Sequence, residues 1–424
     1  MERIAIIDGI RTPFCKMGTS FNNISAHQLA QLATRELIER TGFDVKNIDE
    51  VIFGNVSQPM DAANIARVIT LLSGIPITTP AFTVHRNCAS GIEAVVNAAI
   101  KIQVVEGRLI LAGGTESMSN IPFFLRKPMQ ELLTELMRAK SVMEKLKILT
   151  KMKMSYLSPH IGLQLGLTDP ICGLNMGQTA EVLVKEFGIT RQQQDKFSLL
   201  SHQKALQARG LLREEIVPVM PGPKFKEVVE HDNGPREGQS YEALAKLKPY
   251  FERGTGTVTP GNSSQVTDGA AVLLVASESR ARELGYTPLG FIRAFAFAGV
   301  EPNRMGIGPA HAIPKALKKA NLRMNDIQAF EINEAFAAQV LACLKALGSE
   351  KFAKDFGYEG YTGEIDPNKL NVNGGAVALG HPVGATGARL ILTMLKHLKR
   401  NNLSTGLVSL CIGGGQGAAV ILER

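Results

Sequence analysis

The chain has 424 residues, a formal net charge of +8 and 45% hydrophobic residues. This length and composition predict a soluble protein of two or three domains. No apolar run is long enough to span a bilayer, and the strand-like Ile4-Ala5-Ile6-Ile7 leaves no room for a signal peptide before it. We therefore expect a protein of the bacterial cytoplasm or, for a mature eukaryotic form, of the mitochondrial matrix.

The cysteines and the positive charge narrow the class of protein further. No CxxC pair occurs, which argues against a zinc ribbon or a disulfide scaffold and fits a reducing compartment; the cysteines are Cys15, Cys88, Cys172, Cys343 and Cys411. Nucleic-acid binding is not favoured, because Trp is absent and no basic run is interleaved with stacking residues. An anionic small molecule or an anionic surface is the better expectation.

Strands alternate with helices through the first 120 residues. Predicted strands cover residues 3–9, 49–55, 80–84 and 108–117, and predicted helices cover 26–39, 64–72 and a stretch that begins near Cys88. Such alternation predicts an α/β sheet with helices on both faces.

The segment from 121 to about 251 differs from the first 120 residues in its sequence pattern. Prolines punctuate helices that no clear strand separates, which predicts an insertion on the scaffold. One of its helices opens at Gly177, and Thr190 with Gln193 resembles a capping box for the next. The scaffold resumes at 255–276, where Val272-Leu273-Leu274-Val275 is typical of a buried strand.

The second half of the chain repeats the first. Residues 47–55 are similar in sequence to residues 325–333, and the strand 109–117 is similar to residues 407–415. The Cys88 turn and its helix correspond to the loop at Gly380-His381-Pro382 and a helix from Thr386 to about Lys399. This duplication predicts two α/β halves about a pseudo-twofold axis, each with a mixed five-stranded sheet, and an active site between them. The expected domains are 1–120 with 251–285, an inserted helical domain at 121–250, and 286–424.

Cys88 lies where a predicted strand turns into a predicted helix. The unpaired N–H groups and the positive end of the macrodipole at a helix start favour a thiolate over a thiol. A reactive cysteine is therefore one interpretation of Cys88. The alternative is a buried and inert cysteine, the usual state of a free thiol.

Three residues of the second half are further candidates. His381 lies in a glycine-rich loop shaped for close approach, although a histidine of the core or surface remains the alternative. Cys411 ends a strand before three glycines whose N–H groups could form an oxyanion hole. Asn333 also ends a strand, where it either holds a water or a substrate carbonyl or caps a helix.

Four sequence blocks resemble the signature blocks of the thiolases, in the right order and spacing: residues 85–91, 333–336, 380–387 and 411–415. Residues 175–181 and 261–270 also resemble the coenzyme A side of that family, which makes Met176 and Ser264 candidate binding residues. The resemblance covers essentially the whole chain and implies the thiolase fold.

The same resemblance implies a role for each candidate residue. Cys88 would be the acylated nucleophile, His381 its activator and Cys411 the second acid and base. Asn333 would position the water of one oxyanion hole, and the N–H groups of Cys88 and Gly413 would form another. Such a set suits the cleavage of 3-ketoacyl-CoA by CoA in fatty-acid β-oxidation, with CoA as a substrate and no tightly bound cofactor. The alternative is an acetyl-CoA acetyltransferase that makes acetoacetyl-CoA by the reverse condensation.

Departures from the family pattern bear on chain length and partners. Asn175 stands where many short-chain biosynthetic thiolases carry His. Residues 126–156 and 347–352 look like the β-subunit of fatty-acid oxidation complexes, in which His often replaces Asn333. We expect a preference for medium or long acyl chains, a homodimer or tetramer, and a possible α-subunit partner with hydratase and dehydrogenase activity.

Other classes of protein fit the sequence less well. A ketoacyl synthase is expected to use a second His in place of Cys411 and a carrier protein in place of CoA. A non-catalytic lipid carrier would not need the full set of reactive residues. A metal site of Cys88, His381 and Cys411 would lack the local spacing of metal ligands.

Residues 126–153 carry +5 of the chain's net charge, from eight Lys or Arg and three Glu. Apolar residues recur there at helical spacing, which predicts a basic amphipathic helix. Its apolar face would either cap the acyl tunnel or dock on an anionic membrane or a partner subunit.

Overall fold

The computed structural model describes residues 2–104, 109–223 and 225–424, so Met1 and Arg108, the predicted first residue of a strand, lie outside the described residues. The strands are β1 (Ile4–Arg11), β2 (Cys15–Lys16), β3 (Glu50–Gly54), β4 (Ala81–Val84), β5 (Leu109–Ser117), β6 (Phe123–Phe124), β7 (His160–Ile161), β8 (Thr267–Ser277), β9 (Gly290–Gly299), β10 (Ala329–Ile332), β11 (Thr405–Ile412) and β12 (Gln416–Glu423).

The α-helices are α1 (Ala26–Thr41), α2 (Ile65–Leu72), α3 (Ser90–Val104), α4 (Lys127–Arg138), α5 (Val142–Leu149), α6 (Gly162–Gly166), α7 (Met176–Phe187), α8 (Arg191–Gln207), α9 (Arg209–Leu212), α10 (Tyr241–Ala245), α11 (Glu278–Glu283), α12 (Gly308–Ala320), α13 (Ala337–Leu347), α14 (Glu350–Phe356), α15 (Ala376–Leu379) and α16 (Val383–Arg400). Short 3-10 helices cover Val45–Asn47, Met118–Asn120, Met154–Leu157, Arg213–Glu215, Pro302–Ile307 and Met324–Asp326.

The strands of both halves join into one sheet. The first half has the order β4-β3-β5-β8-β1, and the second has β9-β12-β11-β10, with β1 and β9 paired antiparallel at the junction. The fifth strand of the first half, β4, pairs in parallel with β3 at the edge of the sheet. At the corresponding edge of the second half, Phe330 of β10 forms a single parallel bridge with Leu370. The two halves thus share the mixed topology that the internal repeat predicts.

Helices cover both faces of each half and fill the space between the halves. One buried cluster combines α3 and α16 with residues of β5 and β8 from the first half and of β11 and β12 from the second. A second cluster packs α1 and α2 on the outer face of the first half, and a third packs α12 and α13 on the outer face of the second. The result is a layered α/β fold whose central layer, α3 and α16, belongs to both halves.

Glycines let the backbones of the two halves come into contact at the starts of α3 and α16. A methyl group built on Gly91 would lie 2.7 Å from the Ala388 amide nitrogen and 2.9 Å from the Gly384 carbonyl oxygen. One built on Gly114 would overlap the Gly384 carbonyl. Only glycine permits so close an approach, which places the chain segments that carry Cys88 and His381 side by side.

Two predicted helix starts differ from the observed ones. α3 begins at Ser90, so Cys88 lies in the turn before the helix and not in its first turn. α16 begins at Val383 and not at Thr386, because Gly380 turns the chain at φ +99° and Pro382 holds the extended backbone from which the helix starts.

The predicted single basic helix of residues 126–153 is two helices, α4 and α5. Ser141 starts the second, since its hydroxyl accepts from the Glu144 amide while the Glu144 carboxylate accepts from the Ser141 amide. The capping box predicted at Thr190 and Gln193 is confirmed at the start of α8. Within the described ranges, no helix is both long and apolar enough to cross a membrane.

Candidate active site

The turn between β4 and α3 presents Cys88 to the interior. The Ser90 hydroxyl accepts from the Arg86 amide at 2.9 Å and donates to the Asn87 carbonyl at 2.7 Å, which fixes the turn. Asn87 adopts a positive φ of 42°, and its side-chain amide donates to the Gly413 carbonyl at 2.7 Å. The turn from the first half is thereby tied to the glycine turn between β11 and β12 of the second.

The sulfur of Cys88 faces two backbone donors. They are the backbone amides of Gly413 and of Cys88 itself, the pair of groups predicted to form an oxyanion hole. Both lower the pKa of the thiol, but burial has the larger effect and raises it above the ordinary value. Burial therefore outweighs the backbone groups that favour a thiolate, and a base is needed to remove the proton of the resting thiol.

His381 has the properties of that base. Its Nδ1 lies 2.6 Å from the Thr386 hydroxyl, which donates its own hydrogen to the Pro382 carbonyl at 3.0 Å. Because the hydroxyl has only one hydrogen, Nδ1 must be the donor to it, and Nε2 keeps a free lone pair. Nε2 is buried and has no hydrogen-bond partner. Burial, and then the charge of Arg389, lowers the pKa of His381 to about 3, so the ring is neutral at physiological pH.

Cys411 lies at the end of β11 and is fully buried. Burial first, and then the nearby Cys88, raise the pKa of its thiol well above the ordinary value. This second cysteine is therefore a protonated thiol in the resting enzyme and close enough to Cys88 to share its electrostatic environment. The structure thus brings the two reactive cysteines together from opposite halves.

Asn333 follows β10, and its amide donates to the Ser409 carbonyl of the adjacent β11 at 2.8 Å. Both polar atoms of its buried side chain have no partner within the protein. The helix-cap alternative is wrong, because α13 begins at Ala337 with Phe336 as the preceding residue. A buried amide with two free polar atoms is suited to hold a water or a substrate oxygen.

Glu334 ties this motif to the loop that carries His381. Its carboxylate accepts from the Ser201 hydroxyl at 2.6 Å, the Asn371 side chain at 2.8 Å and the Val377 amide at 3.2 Å. A buried carboxylate satisfied by three donors fixes the surrounding backbone. Glu334 therefore links the strand end that carries Asn333 to the glycine-rich loop.

A cavity of about 720 Å³ opens onto Cys88. Its wall includes Met176, Val383 and Gly413, and the first half adds Val56 and Met118. Most of the remaining apolar lining comes from two segments of the insertion, namely Ile121, Pro122, Phe124, Leu163, Leu165, Leu167, Pro170 and Ile171. Ser264 is not part of this wall; its amide donates to the Ala335 carbonyl, beside Asn333. No residue of 126–153 lines the cavity, which disfavours the alternative that this segment caps the acyl tunnel.

Thr386 and Glu116, like Glu334, carried no role in the sequence interpretation. Thr386 sets the tautomer of His381, although it belongs to a block already recognised. Glu116 is a buried carboxyl near the end of the apolar strand β5, and an acidic residue in such a context is itself a signal of function. Among the described residues, no group of three or more His, Cys, Asp or Glu is arranged to hold a metal ion.

Comparison with known proteins assigns the chain to a protein family. Residues 4–279 match the family "Thiolase, N-terminal domain" and residues 286–424 match "Thiolase, C-terminal domain". A 3-ketoacyl-CoA thiolase of Escherichia coli O127:H6 is 41% identical over 100% of this chain and 97% of its own length.

Two solved structures are also similar. The acetyl-CoA acetyltransferase of Bacillus anthracis is 37% identical with a TM-score of 0.86, over 100% of this chain and 99% of that one. The human mitochondrial 3-ketoacyl-CoA thiolase in complex with CoA is 35% identical with a TM-score of 0.86, over 100% and 98%. The chain belongs to the thiolase family.

Proposed function

We propose that this thiolase cleaves 3-ketoacyl-CoA with CoA, giving acetyl-CoA and an acyl-CoA shortened by two carbons, as a step of fatty-acid β-oxidation. The observation that carries the proposal is the position of Cys88, which lines an apolar cavity and whose thiol is influenced by the backbone amides of Cys88 and Gly413. A soft nucleophile beside a ready-made oxyanion hole is what acyl transfer from a ketone carbon requires.

In the first half-reaction, Nε2 of His381 takes the proton of Cys88, and the thiolate attacks the 3-keto carbon. The amides of Cys88 and Gly413 stabilise the oxyanion that forms. Its collapse breaks the bond between the α and β carbons, and the electron pair passes to the enolate of acetyl-CoA. Protonated His381 and the water held by Asn333 stabilise that enolate, and Cys411 protonates its carbon.

The second half-reaction returns each proton. The Cys411 thiolate takes the proton of the incoming CoA thiol, and the CoA thiolate attacks the acyl group on Cys88. Cys88 leaves as a thiolate and recovers its proton from His381. Every step is reversible, so the same groups also perform the condensation.

The apolar cavity supports a medium or long acyl chain, because its wall has few polar groups to reject methylenes. Met176, at the cavity wall, and Ser264, beside Asn333, are proposed to bind the pantetheine of CoA. Synthesis of acetoacetyl-CoA is the second candidate, favoured by the likeness to an acetyl-CoA acetyltransferase. Turnover along a series of acyl lengths separates the two.

The organisation of the protein is part of the proposal. We propose three domains with the bounds expected from the sequence. The first is 1–120 together with 251–285, the second is 121–250 and the third is 286–424. A homodimer or tetramer is supported by the half-buried edge strand β4, near which Leu71, Leu72 and Ile77 are exposed. Five free cysteines support the cytoplasm or the mitochondrial matrix.

Replacing Cys411 by Ala should separate the two chemical tasks. Loss of 3-ketoacyl-CoA enolate absorbance on adding CoA measures the whole reaction, and it should nearly vanish in the variant. Transfer of an acyl group from acyl-CoA to Cys88 should survive, while exchange of the α-protons of acetyl-CoA should collapse. Equal loss of both partial reactions would contradict separate roles for the two cysteines.

Replacing Thr386 by Val should lower kcat by roughly 10²-fold, because His381 loses the group that fixes its tautomer. KM should change little, since Thr386 does not line the cavity. Thr386→Ser, which keeps the hydroxyl, is the matched control and should retain most activity. Steady-state kinetics of the two variants test this role. Equal kcat values for Thr386→Val and Thr386→Ser would show that the tautomer of His381 does not limit the reaction.

The segment of α4 and α5 is proposed to dock on an anionic membrane surface. Its α5 part exposes large apolar side chains, Val142, Met143, Leu146 and Leu149, next to a row of lysines. Since these side chains do not cover the cavity, another apolar surface is needed to bury them. An α-subunit of an oxidation complex is the other partner that the sequence suggests.

Changing Lys140, Lys145, Lys147 and Lys151 to Gln should reduce co-sedimentation with vesicles of anionic lipid and leave turnover of a short substrate unchanged. The control carries the same charge change elsewhere, at Lys315, Lys318, Lys351 and Lys354. No binding of the parent protein, or equal binding of both variants, would contradict membrane docking. Capture of a hydratase and dehydrogenase subunit in place of lipid would assign the surface to a partner protein.

A further inference from the structure

Glu116 is a buried carboxyl close to the site, and no step of the proposed reaction involves it. It is the penultimate residue of β5 and is completely buried. Four neutral donors surround its carboxylate. The Asn55 side chain and the Ser57 amide reach Oε1, each at 3.0 Å, and the amides of Val56 and Gly384 reach Oε2 at 3.0 and 3.1 Å.

These four donors come from both halves of the molecule. Asn55, Val56 and Ser57 form the loop after β3, and Gly384 lies in the first turn of α16, three residues after His381. The carboxylate is therefore a bridge between a loop of the first half and the chain segment that carries the proposed base. Charge-assisted hydrogen bonds of this kind are about twice as strong as neutral ones.

Both sides of the bridge reach the cavity. Val56 and Ser57 line it from one half, and Val383, next to Gly384, lines it from the other. Space around the bridge is tight, since a methyl group on Gly384 would lie 3.0 Å from Oε2 of Glu116 and 3.1 Å from the Gly54 carbonyl. A shift of the carboxylate has to be transmitted to the loop, the helix start or both.

The charge of Glu116 also acts on Cys88. Burial is the main cause of the raised pKa of Cys88, and the negative charge of Glu116 raises it further. Burial raises the pKa of Glu116 itself to about 7, against the opposing effect of its four donors. In its ionised form the carboxylate therefore opposes formation of the Cys88 thiolate.

We propose that Glu116 is a positioning residue for this thiolase, whose carboxylate joins the 55–57 loop to the start of α16 and thereby holds His381 in place against Cys88. The inference rests on the proposed roles of Cys88 and His381. It assigns to Glu116 no contact with substrate and no proton transfer.

Glu116→Gln tests the proposal, because the amide keeps the size of the side chain but its nitrogen cannot accept from the donors it faces. We expect kcat for thiolysis to fall by roughly 10²-fold, the effect of displacing a reactive group by about 1 Å, with KM nearly unchanged. Alkylation of Cys88 by iodoacetamide at pH 8 should be no slower than in the parent, since a charge that disfavours the thiolate has been removed. A purely structural defect would slow both processes together.

Glu215→Gln is the matched control. It removes another buried carboxylate, which accepts from Arg11 at 2.6 Å and from Thr393 at 2.9 Å. This variant should lose thermal stability while its kcat, measured below its melting temperature, stays near that of the parent. If Glu116→Gln does not fold, Asn55→Ala deletes one of the four donors and keeps the charge, and its kcat should fall several-fold at constant KM.

The outcomes separate this inference from the proposed function. Turnover of Glu116→Gln within twofold of an active parent would overturn the positioning role and leave the function intact, as would an Asn55→Ala variant with parental kcat. Parallel loss of turnover and of Cys88 alkylation would also overturn it. A folded parent whose Cys88 is alkylated but which does not cleave 3-ketoacyl-CoA would contradict the function itself.

Discussion

The active site depends on the contact of two helix starts without intervening side chains. Gly91 at the start of α3 and Gly384 at the start of α16 are close enough that an added methyl group on Gly91 would overlap the opposite backbone. This contact places the turn of Cys88 from one half against the loop of His381 from the other. Because the two segments are rigid helix starts in the central layer, the reacting groups are held before substrate arrives.

Burial determines the resting protonation of the site. It raises the pKa of both Cys88 and Cys411 and lowers that of His381 to about 3, so all three are neutral before the reaction. In the proposed mechanism, charge develops only when the thiol proton moves to Nε2, and the amides of Cys88 and Gly413 stabilise the negative oxygen that forms. The site thus stabilises the charged intermediates more than the resting state, as differential binding requires.

The sequence was sufficient to predict the two halves, the insertion, and the strand-end positions of Asn333 and Cys411. It did so because buried strands, capping boxes and glycine turns are local patterns. It did not predict the hydrogen bonds of Glu116, since its donors Asn55 and Gly384 are far apart in the chain, nor the protonation state of Cys88, which depends on burial. The break between α4 and α5 was missed because the apolar period continues across it, although Ser141 and Glu144 form a readable capping box.

The central claim is that an acyl group passes through Cys88. The most direct test is to mix the enzyme with 3-ketooctanoyl-CoA without added CoA and to measure the mass of the protein and of its Cys88 peptide. We predict one hexanoyl group per chain on Cys88, formed together with acetyl-CoA and removed when CoA is added. A hexanoyl group on Cys411, or release of acetyl-CoA with no acylated protein in a rapid quench, would contradict the account.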